Sequence, residues 1–437
     1  MQVSVETTEG LGRRMTVAVP AEKIDTEISK RLRSMAPRVK IAGFRPGKVP
    51  FKIVEQRYAG QVRAEVMGDM LSSSFYEAVT QEKLRPAGQP TITDQNMEEG
   101  KGLEFTAEFE VYPDIEVKGV DKIKLERMVA EISDTDIDGM IEKLRGQRKT
   151  WEEVDRAAAN DDQVIIDFKG FIGDEVFQGG EGKEVPLVLG SKSMIDGFED
   201  ALVGASAGDS LEANVTFPED YRSSDLAGKE ARFELKVHRV EQSVLPELNE
   251  EFIKSLGIEA GTQEALKQDV RDNMTKESQR IVKTRLKRQV LDALLEKNKV
   301  DVPQVMVNEE ASRLAQQMQD QKRMSQGQST ENEGVSEESF KEEGQRRIAL
   351  GLIMSEIIKQ NNLKAEPEAV RAEVERMATS YGGIDPQVVI QWYYSDPQRL
   401  SEIESIILEE KVVDWVLEKA QVTDNMTPFE DLVSAAN

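Results

Sequence analysis

The chain of 437 residues has no cysteine, and its only histidine is His238. The absence of cysteine excludes a disulfide framework, a thiolate nucleophile and a cysteine-based metal site. A single histidine excludes metal sites built from several imidazoles and argues against a Ser-His catalytic triad. We therefore expect a cytosolic protein without redox chemistry, with no metal and no cofactor.

Long apolar runs and an excess of positive charge are also missing. No stretch approaches the roughly 18 apolar residues that a membrane helix needs, and the polar start MQVSVETTEG lacks the apolar core of a secretory signal. The 57 Lys and Arg stand against 82 Asp and Glu, giving a formal net charge of −25. Because phosphate contacts need a cationic surface, this charge argues against diffuse nucleic-acid binding. We expect no membrane partner and a cytoplasmic protein that meets any anionic partner locally.

One segment departs from this acidic pattern. Residues 30–52 contain no Asp or Glu and eight cations, namely Lys30, Arg31, Arg33, Arg38, Lys40, Arg45, Lys48 and Lys52. Within it, GFRPGK is not a phosphate-binding P-loop, which needs four residues between its glycines and Ser or Thr after its lysine. Here three residues separate Gly43 from Gly47, and Val49 follows Lys48.

The same segment has the composition of a preformed, exposed turn. Gly43, Pro46 and Gly47 restrict or shape the backbone around a lone aromatic residue, Phe44. Such a turn suits binding to a structured RNA or to a protein surface that tolerates basic residues. On RNA the cations would contact phosphates while the ring stacks or wedges. A solvated basic loop without any partner is the alternative.

Hydrophobic periodicity predicts a multidomain α+β protein in four parts. Residues 1–112 form an α/β domain, with a hairpin around Gly10, two helices, Ala21–Ala36 and Phe51–Lys83, and the strand Leu103–Pro113. The second helix carries its predicted apolar positions at Val54, Tyr58, Val62, Val66, Met70 and Tyr76. Residues 113–149 form a linker with one helix.

The other two parts differ from each other in predicted secondary structure. Residues 150–245 predict a compact, β-rich domain with one short helix at MIDGFEDALVG. Residues 246–437 predict an elongated, almost entirely helical domain. A break at Val302-Pro303 and a polar tip at Ser325–Ser336 favour projecting arms over a closed bundle.

The linker contains DTDIDG, which matches the first half of an EF-hand calcium loop. That loop needs a bidentate Glu at its twelfth position, where this chain has Arg145. A cation there would repel calcium. We therefore interpret Ser133 and Asp136 as a capping box at the start of a helix.

The motif GFRPGKVP, followed by these domains in this order, resembles the trigger factor family of bacterial chaperones, over essentially the whole chain. The resemblance implies ATP-independent holding of nascent and unfolded polypeptides, docking on large-subunit RNA and protein at the ribosomal exit tunnel, and weak homodimers off the ribosome. The docking residues it implies are Arg38, Lys40, Gly43, Phe44, Arg45, Pro46, Gly47 and Lys48.

The middle domain resembles the FKBP-type peptidyl-prolyl isomerases, in VIIDFKGFIGDEVFQGG, VPLVLGSKSMIDGFEDALVG, VTFPEDY and ARFELKV. The catalytic pocket implied by the resemblance consists of Phe168, Phe177, Leu187, Met194, Ile195, Phe198, Tyr221 and Phe233. Without the family, such aromatic residues would be interpreted as core. Two departures from simple FKBPs are Gln178 in place of an acid and a short segment between Arg222 and Lys229.

Two alternatives stay open at this point. In the first, the protein is primarily a prolyl isomerase, and the flanking domains only recruit its substrates. In the second, it is an extracytoplasmic folding factor, against which the polar N-terminus argues.

Overall fold

The computed structural model describes residues 1–42, 44, 49–96, 102–173, 175–221, 223, 226–326 and 336–435. The chain divides into two compact units, Met1–Arg127 with Lys283–Asp424 and Met128–Val282 with Asn425–Asn437. Among the described helices, none combines the length and apolar character that crossing a membrane requires.

Eleven helices and eleven strands are described. The helices are α1 (Ala21–Met35), α2 (Phe51–Gln81), α3 (Asp134–Gln147), α4 (Glu250–Ser255), α5 (Gln263–Lys297), α6 (Gln304–Gln326), α7 (Lys341–Asn361), α8 (Pro367–Ser380), α9 (Pro386–Tyr394), α10 (Pro397–Lys419) and α11 (Phe429–Ser434). The strands are β1 (Gln2–Thr7), β2 (Gly12–Val19), β3 (Thr91–Asn96), β4 (Leu103–Glu110), β5 (Lys124–Val129), β6 (Thr150–Glu153), β7 (Gln163–Ile172), β8 (Glu175–Val188), β9 (Ser210–Thr216), β10 (Glu230–Val244) and β11 (Gln421–Met426).

The first unit begins with an antiparallel sheet in the order β1-β2-β4-β3. Alternate residues of β2 and β4 are buried and share one core with α1 and α2, since Met15, Phe105, Leu32 and Val62 belong to a single cluster. The predicted hairpin and both predicted helices are confirmed to within two residues at their ends. The prediction that Tyr76 lies on the apolar face of this helix is wrong, because Tyr76 is 63% exposed. The neighbouring Phe75 packs in the core instead.

The second unit contains a five-stranded antiparallel sheet built around β10. One edge of β10 pairs with β7, which pairs in turn with β8, and the other edge pairs with β9 and then β6. The helix predicted at Met194–Gly204 is wrong: only a 3₁₀ turn, Asp200–Leu202, forms there. Gly197 has φ +86°, which a right-handed helix cannot include, so the chain approaches this turn as a loop.

The region after residue 246 is helical as predicted, up to its C-terminal end. There the domain departs from the helical expectation at one element, because β11 follows α10 and pairs with β5. The Gln421 N–H donates to the Ile123 carbonyl oxygen at 2.8 Å, and the Thr427 N–H donates to that of Val129 at 3.0 Å. The partner strand is about 300 residues away in sequence, so local periodicity contains no sign of it.

Helix α3 begins where the capping box was predicted. The Ser133 hydroxyl oxygen accepts the Asp136 N–H at 3.2 Å, and the Asp136 carboxylate accepts the Ser133 N–H at 2.9 Å. The Ser133 hydroxyl also donates to the Asp136 carboxylate at 2.6 Å, and this bond, reinforced by the one from the Ser133 N–H, lowers the pKa of Asp136. The calcium-loop interpretation of DTDIDG is therefore excluded by the helix that the segment forms.

Candidate functional site

A cavity of about 470 Å³ opens in the β-rich domain. Seven of the eight residues that the sequence proposes for the pocket line it: Phe168, Phe177, Met194, Ile195, Phe198, Tyr221 and Phe233. Leu187 does not, since it lies on β8 in the core beneath and is 3% exposed. The cavity also includes Phe217 and Pro218, which the sequence analysis did not single out although both lie in the quoted VTFPEDY.

Aromatic rings contact one another edge to face around this cavity. Phe198 is 1% exposed and packs against Phe233 with ring centroids 5.0 Å apart at 84°. Phe177 packs against Phe233 at 5.8 Å and against Phe217 at 5.7 Å, and Tyr221 lies 4.7 Å from Phe217. Because such contacts fix ring positions, the wall is rigid and apolar.

Two glycines on the strands make room for these rings. A Cβ at Gly170 would lie 2.6 Å from ring atoms of both Phe177 and Phe233. At Gly182 it would lie 2.4 Å from the Phe168 ring. Both positions therefore need a residue without a side chain if the rings are to reach the cavity.

Polar residues also line the cavity, among them Ser193, Asp196 and Tyr221. The Tyr221 side chain is 38% exposed, so its hydroxyl is accessible to a bound peptide. The Ile195 N–H has no acceptor among the described residues, whereas its carbonyl oxygen accepts the Phe198 N–H at 3.1 Å. One N–H without an acceptor among the described residues and one hydroxyl thus border the cavity, beside the polar residues Ser193 and Asp196.

A buried carboxylate, Glu199, organises the loop that leads to this rim. Burial favours its protonated form, but the N–H groups of Met194 and Lys192, the Ser191 hydroxyl and the Ser193 N–H outweigh that effect. Together they hold the pKa of Glu199 below its ordinary value. The sequence analysis missed Glu199, although an acid directly after the pocket residue Phe198 was visible.

Two features noted as departures from simple FKBPs lie wholly or partly outside the described residues. The Gln178 side chain is one of them. The other is the short segment after Tyr221, in which residues 222, 224 and 225 are not described. Its remainder folds back, since the Gly228 N–H donates to the carbonyl oxygens of Phe217 and Pro218.

The basic segment of the first unit is described in part. Arg38 and Lys40 are exposed, Phe44 is 38% exposed, and Ile41 and Val49 on either side are buried in the core. Of the predicted docking residues, Gly43, Arg45, Pro46, Gly47 and Lys48 lie outside the described residues. The Phe44 ring is therefore not buried, and a partner could reach it.

An apolar stripe lies on α9 and the turn before it. Ile384, Val388 and Trp392 follow one another at intervals of four residues and are 51%, 58% and 51% exposed. The Arg399 guanidinium lies 3.9 Å from the Trp392 ring centroid and donates to its carbonyl oxygen at 2.7 Å. Among the methionines, Met318 and Met324 are 39% and 89% exposed, while Met306 and Met354 are partly buried.

No group of three or more potential metal ligands occurs among the residues that the structure describes. The cavity therefore offers shape, aromatic surface and several polar groups, among them the Ile195 N–H and the Tyr221 hydroxyl. Those are the requirements for binding a proline ring and its flanking carbonyl groups, and they involve no nucleophile.

Comparison with known proteins identifies the family. Residues 1–144 match the family model for bacterial trigger factor protein, residues 262–418 match the model for its C-terminus, and residues 154–238 match FKBP-type peptidyl-prolyl cis-trans isomerase. Trigger factor of Pseudomonas putida strain GB-1 is 49% identical over 436 residues, covering 100% of this chain and 98% of that protein. Trigger factor of Pseudomonas aeruginosa strain LESB58 is 46% identical over 436 residues, covering 100% and 99%.

A solved structure supports the same fold. A trigger factor chaperone, studied for promiscuous substrate recognition in folding and assembly, superimposes with a TM-score of 0.52 at 21% identity, over 96% of this chain and 99% of that one. The matching domains and the full-length relatives together show that this chain belongs to the trigger factor family of chaperones and carries an FKBP-type peptidyl-prolyl cis-trans isomerase domain.

Proposed function

We propose that this chaperone docks in the cytoplasm on the large ribosomal subunit near the exit tunnel and holds emerging unfolded chains without ATP. Its isomerase pocket then acts on X-Pro bonds of the chains it holds. In this proposal residues 1–112 dock, 113–149 link, 150–245 isomerise, and 246–437 hold the client. Away from the ribosome the protein forms weak homodimers.

The pocket suits this reaction because isomerisation needs no bond to be broken. Resonance in the peptide group sets a rotation barrier of about 18–20 kcal/mol, and uncatalysed X-Pro isomerisation takes about 10–100 s. The twisted amide has lost that resonance and is less polar, so an apolar cavity favours it over the planar amide. Phe198, which is 1% exposed, would form the floor beneath the proline ring, and Phe168, Phe177 and Phe233 would form the walls.

Two rim groups would orient the peptide. In this proposal the Ile195 N–H and the Tyr221 hydroxyl, both on residues that line the cavity, donate hydrogen bonds to substrate carbonyl oxygens. Such bonds hold the chain on both sides of the proline while the bond between them rotates. Leu187 has no direct contact with substrate in this scheme, since it packs beneath the wall.

The observation that carries the docking proposal is the half-exposed ring of Phe44 on a segment anchored at both ends. Ile41 and Val49 on either side of Phe44 are buried, and the exposed Arg38 and Lys40 precede it in the sequence. The cations would contact phosphates, and the ring would contact a base or a protein surface. Pelleting of the protein with ribosomes at low and high salt tests this, because ion contacts with RNA weaken as salt rises.

The holding proposal rests on apolar side chains that the fold leaves uncovered. The stripe Ile384, Val388 and Trp392 could accept apolar segments of many sequences. The exposed Met318 and Met324 add flexible, polarisable contacts. The net charge of −25 favours the solubility of a protein with such a surface.

One double variant separates holding from isomerisation. Phe198→Ala with Tyr221→Ala is expected to lower kcat/KM for an X-Pro peptide about 100-fold or more, since both the floor and one carbonyl contact are lost. Suppression of aggregation of a proline-free client is expected to stay at the wild-type level. If holding disappears together with isomerisation while the helices stay folded, the isomerase-first alternative is correct.

A further inference from the structure

The carboxylate of Glu199 accepts hydrogen bonds from the backbone of the loop that precedes it. Its Oε2 accepts the Gly190 N–H at 2.8 Å and the Lys192 N–H at 3.1 Å. Its Oε1 accepts the Ser193 N–H at 2.9 Å and the Met194 N–H at 3.2 Å. Four N–H groups thus converge on one side chain that is 8% exposed.

This loop does not hold its conformation by regular structure. Gly190 and Lys192 have φ values of +85° and +55°, in the left-handed region that a lysine rarely adopts. Beyond the end of β8 at Val188, the Leu189 and Ser191 N–H groups donate to backbone carbonyl oxygens. The N–H groups of Gly190, Lys192, Ser193 and Met194 need another acceptor. A buried carboxylate with two oxygens supplies it for both halves of the loop.

The residue directly after the last of these donors is Ile195. Its own N–H faces no acceptor among the described residues, and Ile195 lines the cavity. The orientation of the Ile195 peptide follows from the Met194 backbone, which Glu199 holds. Displacing that loop would therefore move the one backbone donor that we assign to a substrate carbonyl.

We propose that Glu199 is a positioning residue for prolyl isomerisation, acting through the Ile195 N–H and not on the substrate itself. The proposal rests on the proposed role of that N–H in the pocket. Glu199 thereby contributes to the binding of the substrate peptide as well as to the stability of the loop.

The test is Glu199→Gln in the full-length protein, with initial rates measured over a range of X-Pro peptide concentrations. Glutamine keeps the shape but replaces one acceptor oxygen by a donor, so two of the loop N–H groups lose their partner. We expect KM to rise about tenfold with kcat within about twofold of wild type, because a contact to a flanking carbonyl binds substrate and transition state alike. The amide-proton resonances of Gly190 to Ile195 are expected to shift, with those that lose the carboxylate moving upfield.

A merely structural role would give a different result. Loss of folded protein lowers the apparent kcat and leaves KM unchanged, because KM does not depend on the amount of active enzyme. Glu199→Asp keeps the charge but withdraws it by one methylene, and it is also expected to raise KM. A wild-type KM in both variants would overturn the proposal.

Two further variants complete the design. Asp200→Asn makes the same change of charge one residue further on, at an exposed side chain, and is expected to leave KM and kcat unchanged. Tyr221→Phe removes the other proposed carbonyl contact. If Tyr221→Phe raises KM and Glu199→Gln does not, only the role of Glu199 is wrong; if neither does, the proposed carbonyl contacts are wrong as well.

Discussion

Single side chains fix the backbone at the edges of the isomerase domain. Asp162, just before β7, has a side chain that is 6% exposed and accepts two bonds from Arg156, at 2.5 and 2.9 Å, and the Ala159 N–H at 2.8 Å. The Arg156 guanidinium lowers the pKa of Asp162; burial opposes this shift, and the Ala159 N–H reinforces it. The ionised form of this carboxyl is therefore the one that the fold requires.

The stability of the domain should consequently depend on pH through Asp162. A folded-state pKa below the unfolded value of about 3.9 gives a contribution that is complete above that pH and is lost as the pH falls through the folded-state pKa. Asp162→Asn is expected to lower the free energy of unfolding at pH 7 by about 1–3 kcal/mol. This loss can be measured by amide hydrogen exchange in β7, compared at each pH between wild type and Asp162→Asn.

The difference between wild type and Asp162→Asn should shrink below about pH 4, where the Asp162 carboxyl of the unfolded chain takes up a proton while that of the folded protein is still charged. Asp155→Asn, at an exposed position nearby, serves as the control and should leave exchange unchanged. A difference that persists undiminished into strong acid would show that the charge of Asp162 is not the cause.

For single residues, the sequence predicted which side chains form the pocket better than it predicted which groups they contact. The aromatic positions Phe168, Phe177 and Phe233 could be placed because strand alternation and the family motifs agree. Glu199 could not, since its importance depends on a loop folded back over it in three dimensions. The ring of Phe217 was missed for a similar reason: it lies just beyond the end of β9 and packs against Tyr221, a contact that strand alternation does not show.

Among the elements, helix α3 shows how far local sequence determines structure. Its capping box, Ser133 with Asp136, was predictable because both partners lie within one turn. The 3₁₀ turn at Asp200–Leu202 and the strand β11 were not. The first depends on the left-handed Gly197, and the second on pairing with β5 far away in the sequence.

Removing the cap should have a local and modest effect. Ser133→Ala is expected to lower the free energy of unfolding of α3 by about 1 kcal/mol, since the Asp136 N–H loses its acceptor. Hydrogen exchange along α3 is the measurement, with Thr135→Ala on the exposed side as the control. Added calcium should protect neither protein, and protection by calcium would restore the EF-hand interpretation.

In the molecule as a whole, two surfaces contrast with the acidic remainder. One is the stripe formed by Ile384, Val388 and Trp392, and the other is the basic segment around Phe44. The sequence marked the basic segment clearly, because eight cations without an acid stand out in an acidic chain. It did not mark the stripe, since helical periodicity alone does not show which apolar face remains uncovered.

Charges placed in the stripe should weaken client holding. Val388→Asp with Trp392→Asp is expected to reduce suppression of client aggregation several-fold, because an apolar client segment would then have to desolvate two carboxylates. Gln387→Asp with Gln391→Asp adds the same charge to exposed positions of α9 and should change little. Equal loss in both double variants would mean that charge, and not the apolar surface, governs holding.

Ribosome pelleting tests the docking account most directly. The variant combines Phe44→Ala, Arg45→Ala and Lys48→Ala; its control combines Tyr76→Ala, Lys23→Ala and Lys83→Ala, removing an exposed aromatic and two cations elsewhere in residues 1–112. We predict that wild type and control pellet with ribosomes at low salt, and progressively less as salt rises. The docking variant should remain in the supernatant although its fold is intact; if it pellets as wild type does, the protein does not dock through this segment.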